Sequence, residues 1–86
     1  MSAKNILENL KGGHSITLTK EEYENIRNFI ETNKLPKHTY INEYENETVE
    51  QIWFVYNKKQ YILYRYEYIF KKEGEKEETF SIYRLF

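Results

Sequence analysis

Eighty-six residues and 10.6 kDa bound the chain to one domain with one modest core, because chains divide into several cores only at much greater length. Hydrophobic residues make up 40 % and aromatic residues 17 %, in runs too short for a membrane span of about 20 apolar residues and too rich in rings for bulk disorder. Cysteine is absent, which excludes a disulfide framework, a thiolate metal site and a cysteine nucleophile, and a net charge of −1 gives no global pull toward nucleic acid or anionic lipid.

In chain order, Ile6, Leu7 and Leu10 fall at helical spacing within Ala3 to Leu10, with Gly12 expected as the left-handed residue after the helix. Met1 to Leu10 holds no apolar stretch of signal-peptide length, so a cytoplasmic protein is expected. Ser15 to Leu18 alternates as a short strand. Thr19 and Glu22 form a capping box, with Leu18 and Tyr23 as its hydrophobic staple. The helix they open runs from Lys20 to about Asn33, places Tyr23, Ile26, Phe29 and Ile30 on one face, and stops before Leu35-Pro36.

Beyond Pro36 the period becomes two. Strands are expected over Thr39 to Tyr44, Thr48 to Tyr56, Gln60 to Lys71 and Thr79 to Phe86. A turn at Glu45-Asn46-Glu47, a tight hairpin tip at Asn57-Lys58-Lys59 and a charged loop from Lys72 to Glu78 separate them. The fold class is α+β: a mainly antiparallel meander of four to five strands, one main helix packed on one face, and a short N-terminal helix. The expected core includes Ile26, Phe29, Ile30, Ile52, Phe54, Ile62 and Tyr64. Both faces of the long strands carry large apolar groups, so either the N-terminal helix covers the second face or part of that face awaits a partner. The last strand, ending in Arg84, Leu85 and Phe86, is read as a sheet edge that invites a homodimer.

All fourteen acids are glutamate, and Glu43, Glu45, Glu47 and Glu50 give the segment from His38 to Asn57 its only charges. The next segment is basic through Lys58, Lys59, Arg65, Lys71 and Lys72. A run of carboxylates can imitate a phosphate track and enter the basic groove of a nucleic-acid enzyme, although a solvated hairpin tip is the plainer account. Trp53 and Tyr61 are the aromatic anchors expected beside it, since binding hot spots favour Trp, Tyr and Arg. Tyr64, Tyr66 and Tyr68 with nearby lysines offer a second reading, a stacking platform for single-stranded nucleic acid. Tyrosines are also ordinary strand formers, and the glycine-flanked aromatics of RNA-recognition sheets are missing.

His14 and His38 stand alone, no serine sits in a nucleophile motif, and Gly12-Gly13 lacks the rest of a phosphate loop. No catalytic, cofactor or metal residue is therefore assigned, and a non-enzymatic binding protein is expected. Low alanine, glycine and proline beside abundant Lys, Asn, Ile and Tyr fit AT-rich codons. The whole profile is similar to that of small phage or mobile-element proteins that block host defence, anti-CRISPR proteins among them. The similarity is one of composition and covers no defined residues. It implies an inhibitor of a larger host protein.

Overall fold

The computed structural model describes residues 2–70 and 74–86, so the expectations for Lys71 and Lys72 fall outside the described residues. Two helices, α1 (Ala3–Asn9) and α2 (Lys20–Thr32), and five strands, β1 (Ser15–Leu18), β2 (Lys37–Glu43), β3 (Glu47–Tyr56), β4 (Lys59–Phe70) and β5 (Glu75–Arg84), follow in the order α1-β1-α2-β2-β3-β4-β5. The strands form one antiparallel sheet in the order β1-β5-β4-β3-β2.

Local chemistry sets the element ends. The capping box is formed as expected: the Glu22 N–H donates to Thr19 Oγ1 at 3.1 Å and the Thr19 N–H to Glu22 Oε1 at 2.9 Å. The main-chain N–H that Thr19 donates to the carboxylate holds the Glu22 carboxyl below its ordinary pKa. At the other end the Leu35 N–H donates to Ile30 O at 3.1 Å and the Lys34 N–H to Glu31 O at 3.2 Å. This Schellman arrangement puts Lys34 in the left-handed region at φ 50°, where glycine is usual. Asn57 and Lys58, at φ 52° and 64°, make a two-residue turn of the mirror-image type that suits twisted hairpins. After α1 it is Gly13, not Gly12, that adopts positive φ, at 78°. Gly12 is small for another reason: a Cβ there would lie 2.6 Å from the Phe86 main-chain carbon.

Both helices cover the same face of the sheet. Leu7, Ile26 and Ile30 pack against Ile52, Phe54, Tyr61, Leu63 and Ile82. Phe54 and Tyr61 stack at 5.3 Å, and Tyr23 meets Phe80 at 4.6 Å. The register fixes this face, because Ile52 pairs with Leu63 and Phe54 with Tyr61. Ile62 and Tyr64, expected to share the core with Ile52 and Phe54, lie on the other face, where Ile62 is buried as expected and Tyr64 only partly; a one-residue offset in pairing inverts every side chain of a strand. Phe29 packs at the margin of the core, half-buried.

Two further expectations change. The charged stretch before Thr79 is strand from Glu75 onward, since its charges find cross-strand partners: Arg65 Nη1 lies 3.2 Å from Glu78 Oε2 and Lys76 Nζ 3.4 Å from Glu67 Oε2. And β5 is not an edge. It lies between β4 and β1, with Ser15 to Leu18 paired to Tyr83 to Phe80, so that the sheet ends on β1 and β2. No helix among the described residues is long and apolar enough to cross a membrane.

Candidate binding surface on the open sheet face

The face turned away from the helices is built in cross-strand rows. One row reads His38, Trp53, Ile62, Tyr83; the next reads Tyr40, Gln51, Tyr64, Ser81; then come Asn42, Val49, Tyr66, Thr79. Glu47, Tyr68 and Glu77 follow, and Phe70 beside Glu75 ends it. Ile62 is buried beneath its neighbours, whereas Trp53 is 37 % and Tyr40 53 % exposed. Their rings meet edge to face at 6.3 Å, and Trp53 Nε1 donates to Gln51 Oε1 at 2.9 Å, which fixes the indole's orientation. Trp53 also borders two shallow recesses, one of about 420 Å³ shared with Pro36, His38 and Val55, and one of about 290 Å³ shared with Tyr40, Asn42 and Gln51.

Glu43, Glu45, Glu47 and Glu50 do not form one patch. Period-two alternation deals them to different sides: Glu43 faces the helix side of β2, Glu45 lies in the turn, Glu47 is on the open face beside Tyr68, and Glu50 points inward opposite Arg65. Glu50 is only 7 % exposed and accepts a 2.7 Å hydrogen bond from the Tyr23 hydroxyl, so it is not available to a partner. Burial, and then this bond to a carboxylate, push the Tyr23 hydroxyl up to about 12. Tyr61 is likewise a correction to the surface reading. It is 1 % exposed, its hydroxyl donates to the Leu7 carbonyl at 2.8 Å, and burial raises its pKa.

The acidic end of the open face comes instead from Glu47, Glu75 and Glu77, which surround Tyr68 and Phe70 from β3 and β5. Glu75 and Glu77 were hidden in a segment whose charge density reads as loop. Desolvation, and then the Glu47 carboxylate, raise the Tyr66 pKa beside them.

The cations go the other way. Arg65 points to the helix side, where Glu67 Oε2 lies 2.8 Å from its Nη1, with Glu78 and Glu50 close by. Burial opposes its charge, but these carboxylates outweigh burial and raise its pKa; the Arg65 bond in turn lowers Glu67. Lys37, Lys59 and Lys76 share the helix side with Phe54, Tyr56 and Ile69. Among the described strand residues, no lysine or arginine side chain lies on the open face. No protein-family model, curated protein or solved structure matches the chain.

Proposed function

We propose that the protein works by binding, and that the open sheet face is where it holds a larger protein. One observation carries the reading: a broad aromatic surface left bare by both helices, acidic at one end and without cations among its described strand residues. Trp53 serves as the central anchor, with Tyr40, Tyr64 and Tyr66 around it, because large rings bury much area at little cost in rotamer freedom. Glu47, Glu75 and Glu77 then meet a basic margin of the partner and speed the encounter. A nucleic-acid enzyme offers such a margin at its substrate groove, and occupation of that groove would inhibit it.

Single-stranded nucleic acid fits this surface less well. Tyr64, Tyr66 and Tyr68 do share the face, as a stacking platform needs, but among the described strand residues phosphates would meet carboxylates there rather than lysines. Capture from a lysate of the source organism separates the readings. A protein retained by the wild type and by Glu24→Ala on the exposed side of α2, but lost with Trp53→Ala, supports open-face docking. A protein retained equally by all three, or oligonucleotide affinity that falls steeply with salt, contradicts it.

A further inference from the structure

The sheet's two edges are unlike. β1 has four residues and runs directly into the capped start of α2, so it offers a short template. β2 has seven residues, all exposed, and nothing pairs with its outer side among the described residues. The Tyr44 N–H donates to Glu47 O at 2.7 Å and the Val55 N–H to Pro36 O at 3.1 Å. Even-numbered residues of β2 therefore turn their main-chain groups toward β3, and Lys37, Thr39, Ile41 and Glu43 turn theirs outward. Charge stands only at the two ends of this edge, at Lys37 and Glu43, and the other devices that blunt natural edges are missing between them. The pairing from Lys37↔Phe54 to Glu43↔Thr48 has no bulge, no proline interrupts it, and Tyr40 and Ile41 are 53 % and 55 % exposed.

We infer that β2 is the contact between two copies of this chain, paired antiparallel about a two-fold axis at Tyr40. The sequence Lys37-His38-Thr39-Tyr40-Ile41-Asn42-Glu43 is complementary to itself in that register. Lys37 faces Glu43 of the second copy and Glu43 its Lys37; Thr39 faces Ile41, His38 faces Asn42, and Tyr40 faces Tyr40. The outward residues meet as hydrogen-bonded pairs, giving about eight main-chain bonds along a strand of about 24 Å. Other alignments lose this match. A slip of one pair removes both charge contacts and leaves overhangs, and parallel pairing in register sets Lys37 beside Lys37 and Glu43 beside Glu43. Lys37 already holds Glu31 of α2, and its ammonium has donors left for a second carboxylate.

The product is a continuous sheet of two sets of five strands, with the Trp53–Tyr40 ring pair of one copy adjoining that of the other. An isologous contact of this kind closes on itself and consumes both β2 edges, which leaves only the short β1 edges outside. The inference rests on the edge alone and holds whatever the open face binds.

Light scattering over about 1 µM to about 1 mM tests it, with circular dichroism as the check on folding. The expected result is a mass rising from 10.6 kDa to twice that value. Ile41→Pro removes an outward N–H and no bond to β3, and raises the dimer dissociation constant at least about tenfold. Glu43→Lys sets lysine against lysine at both ends and weakens the dimer about tenfold at low salt. Lys37→Glu combined with Glu43→Lys restores the match and brings the constant back to within about threefold of wild type. A wild-type mass of 10.6 kDa throughout overturns the inference. So does a dimer indifferent to Glu43→Lys, or a double variant no tighter than the single one.

Discussion

Along β4, Tyr61, Leu63 and Arg65 turn toward the helices while Ile62, Tyr64 and Tyr66 turn away, in one strand of nearly uniform aromatic and aliphatic character. On the helix side, apolar groups meet α1 and α2, and beyond them a ring of ion pairs joins Arg65 to Glu50, Glu67 and Glu78. On the open side, comparable apolar groups meet no helix among the described residues, only other residues of the sheet. The difference is not hydrophobicity but the presence of a covering layer. Composition shows how much apolar surface a chain owns; register and helix placement decide which part of it folds the chain and which part is left for something else.

Substitutions at neighbouring positions should break this comparison if it is wrong. Leu63→Ala should lose about 3 to 4 kcal/mol in urea denaturation by leaving a cavity under the helices, whereas Tyr64→Ala on the open side should lose about 1 kcal/mol. Equal losses would mean that the open face is as integral to the fold as the covered one.

The helix side is also where pH should act. Tyr23 has a folded pKa of about 12 against an ordinary 10.0, so the folded state keeps its proton while the unfolded state gives it up. The contribution is fully present below about pH 10 and drains away as pH rises toward 12, by about 2 to 3 kcal/mol in all. Denaturation midpoints across that window should fall for the wild type and fall less for Tyr23→Phe.

Arg65→Ala should cost about 2 kcal/mol at neutral pH, because Glu50, Glu67 and Glu78 would then face one another with weaker compensation. The loss should shrink in acid as Glu67, whose pKa Arg65 holds down, takes up its proton. The smallest effects lie in the turns. Lys34→Gly and Lys58→Gly should each add about 0.5 to 1 kcal/mol, since both lysines occupy left-handed backbone that favours glycine, and thermal melting would register the gain.

The helices and hairpins were legible in the sequence because their signals are local: Thr19 with Glu22, Pro36 after α2, and Asn57-Lys58 between two alternating runs. What was not legible depends on pairing. Nothing near Ile62 states that Leu63, rather than Ile62, lies opposite Ile52 on the covered side, so the burial of Ile62 is legible but its face, and the partial exposure of Tyr64, are not. Glu75 and Glu77 read as loop because their ordering relies on pairing with Phe70 and Tyr68 of β4, which no local signal announces. Tyr61 and Glu50 looked like surface groups until Leu7 and Tyr23, each far away in sequence, supplied their hydrogen-bond partners. The exposure of Trp53 is legible in the sequence for a plain reason: an alternating strand with rings on both sides must leave some of them outside if one face alone is covered.

The open face is proposed to bind a partner, whereas the covered face holds the fold together. The most direct measurement is titration of the captured partner protein with the Trp53→Ser/Tyr66→Ser double variant. The expected variant is folded by circular dichroism, melts no more than about 15 °C below wild type, and binds with an affinity reduced at least about a hundredfold. A folded variant that binds with wild-type affinity would contradict it.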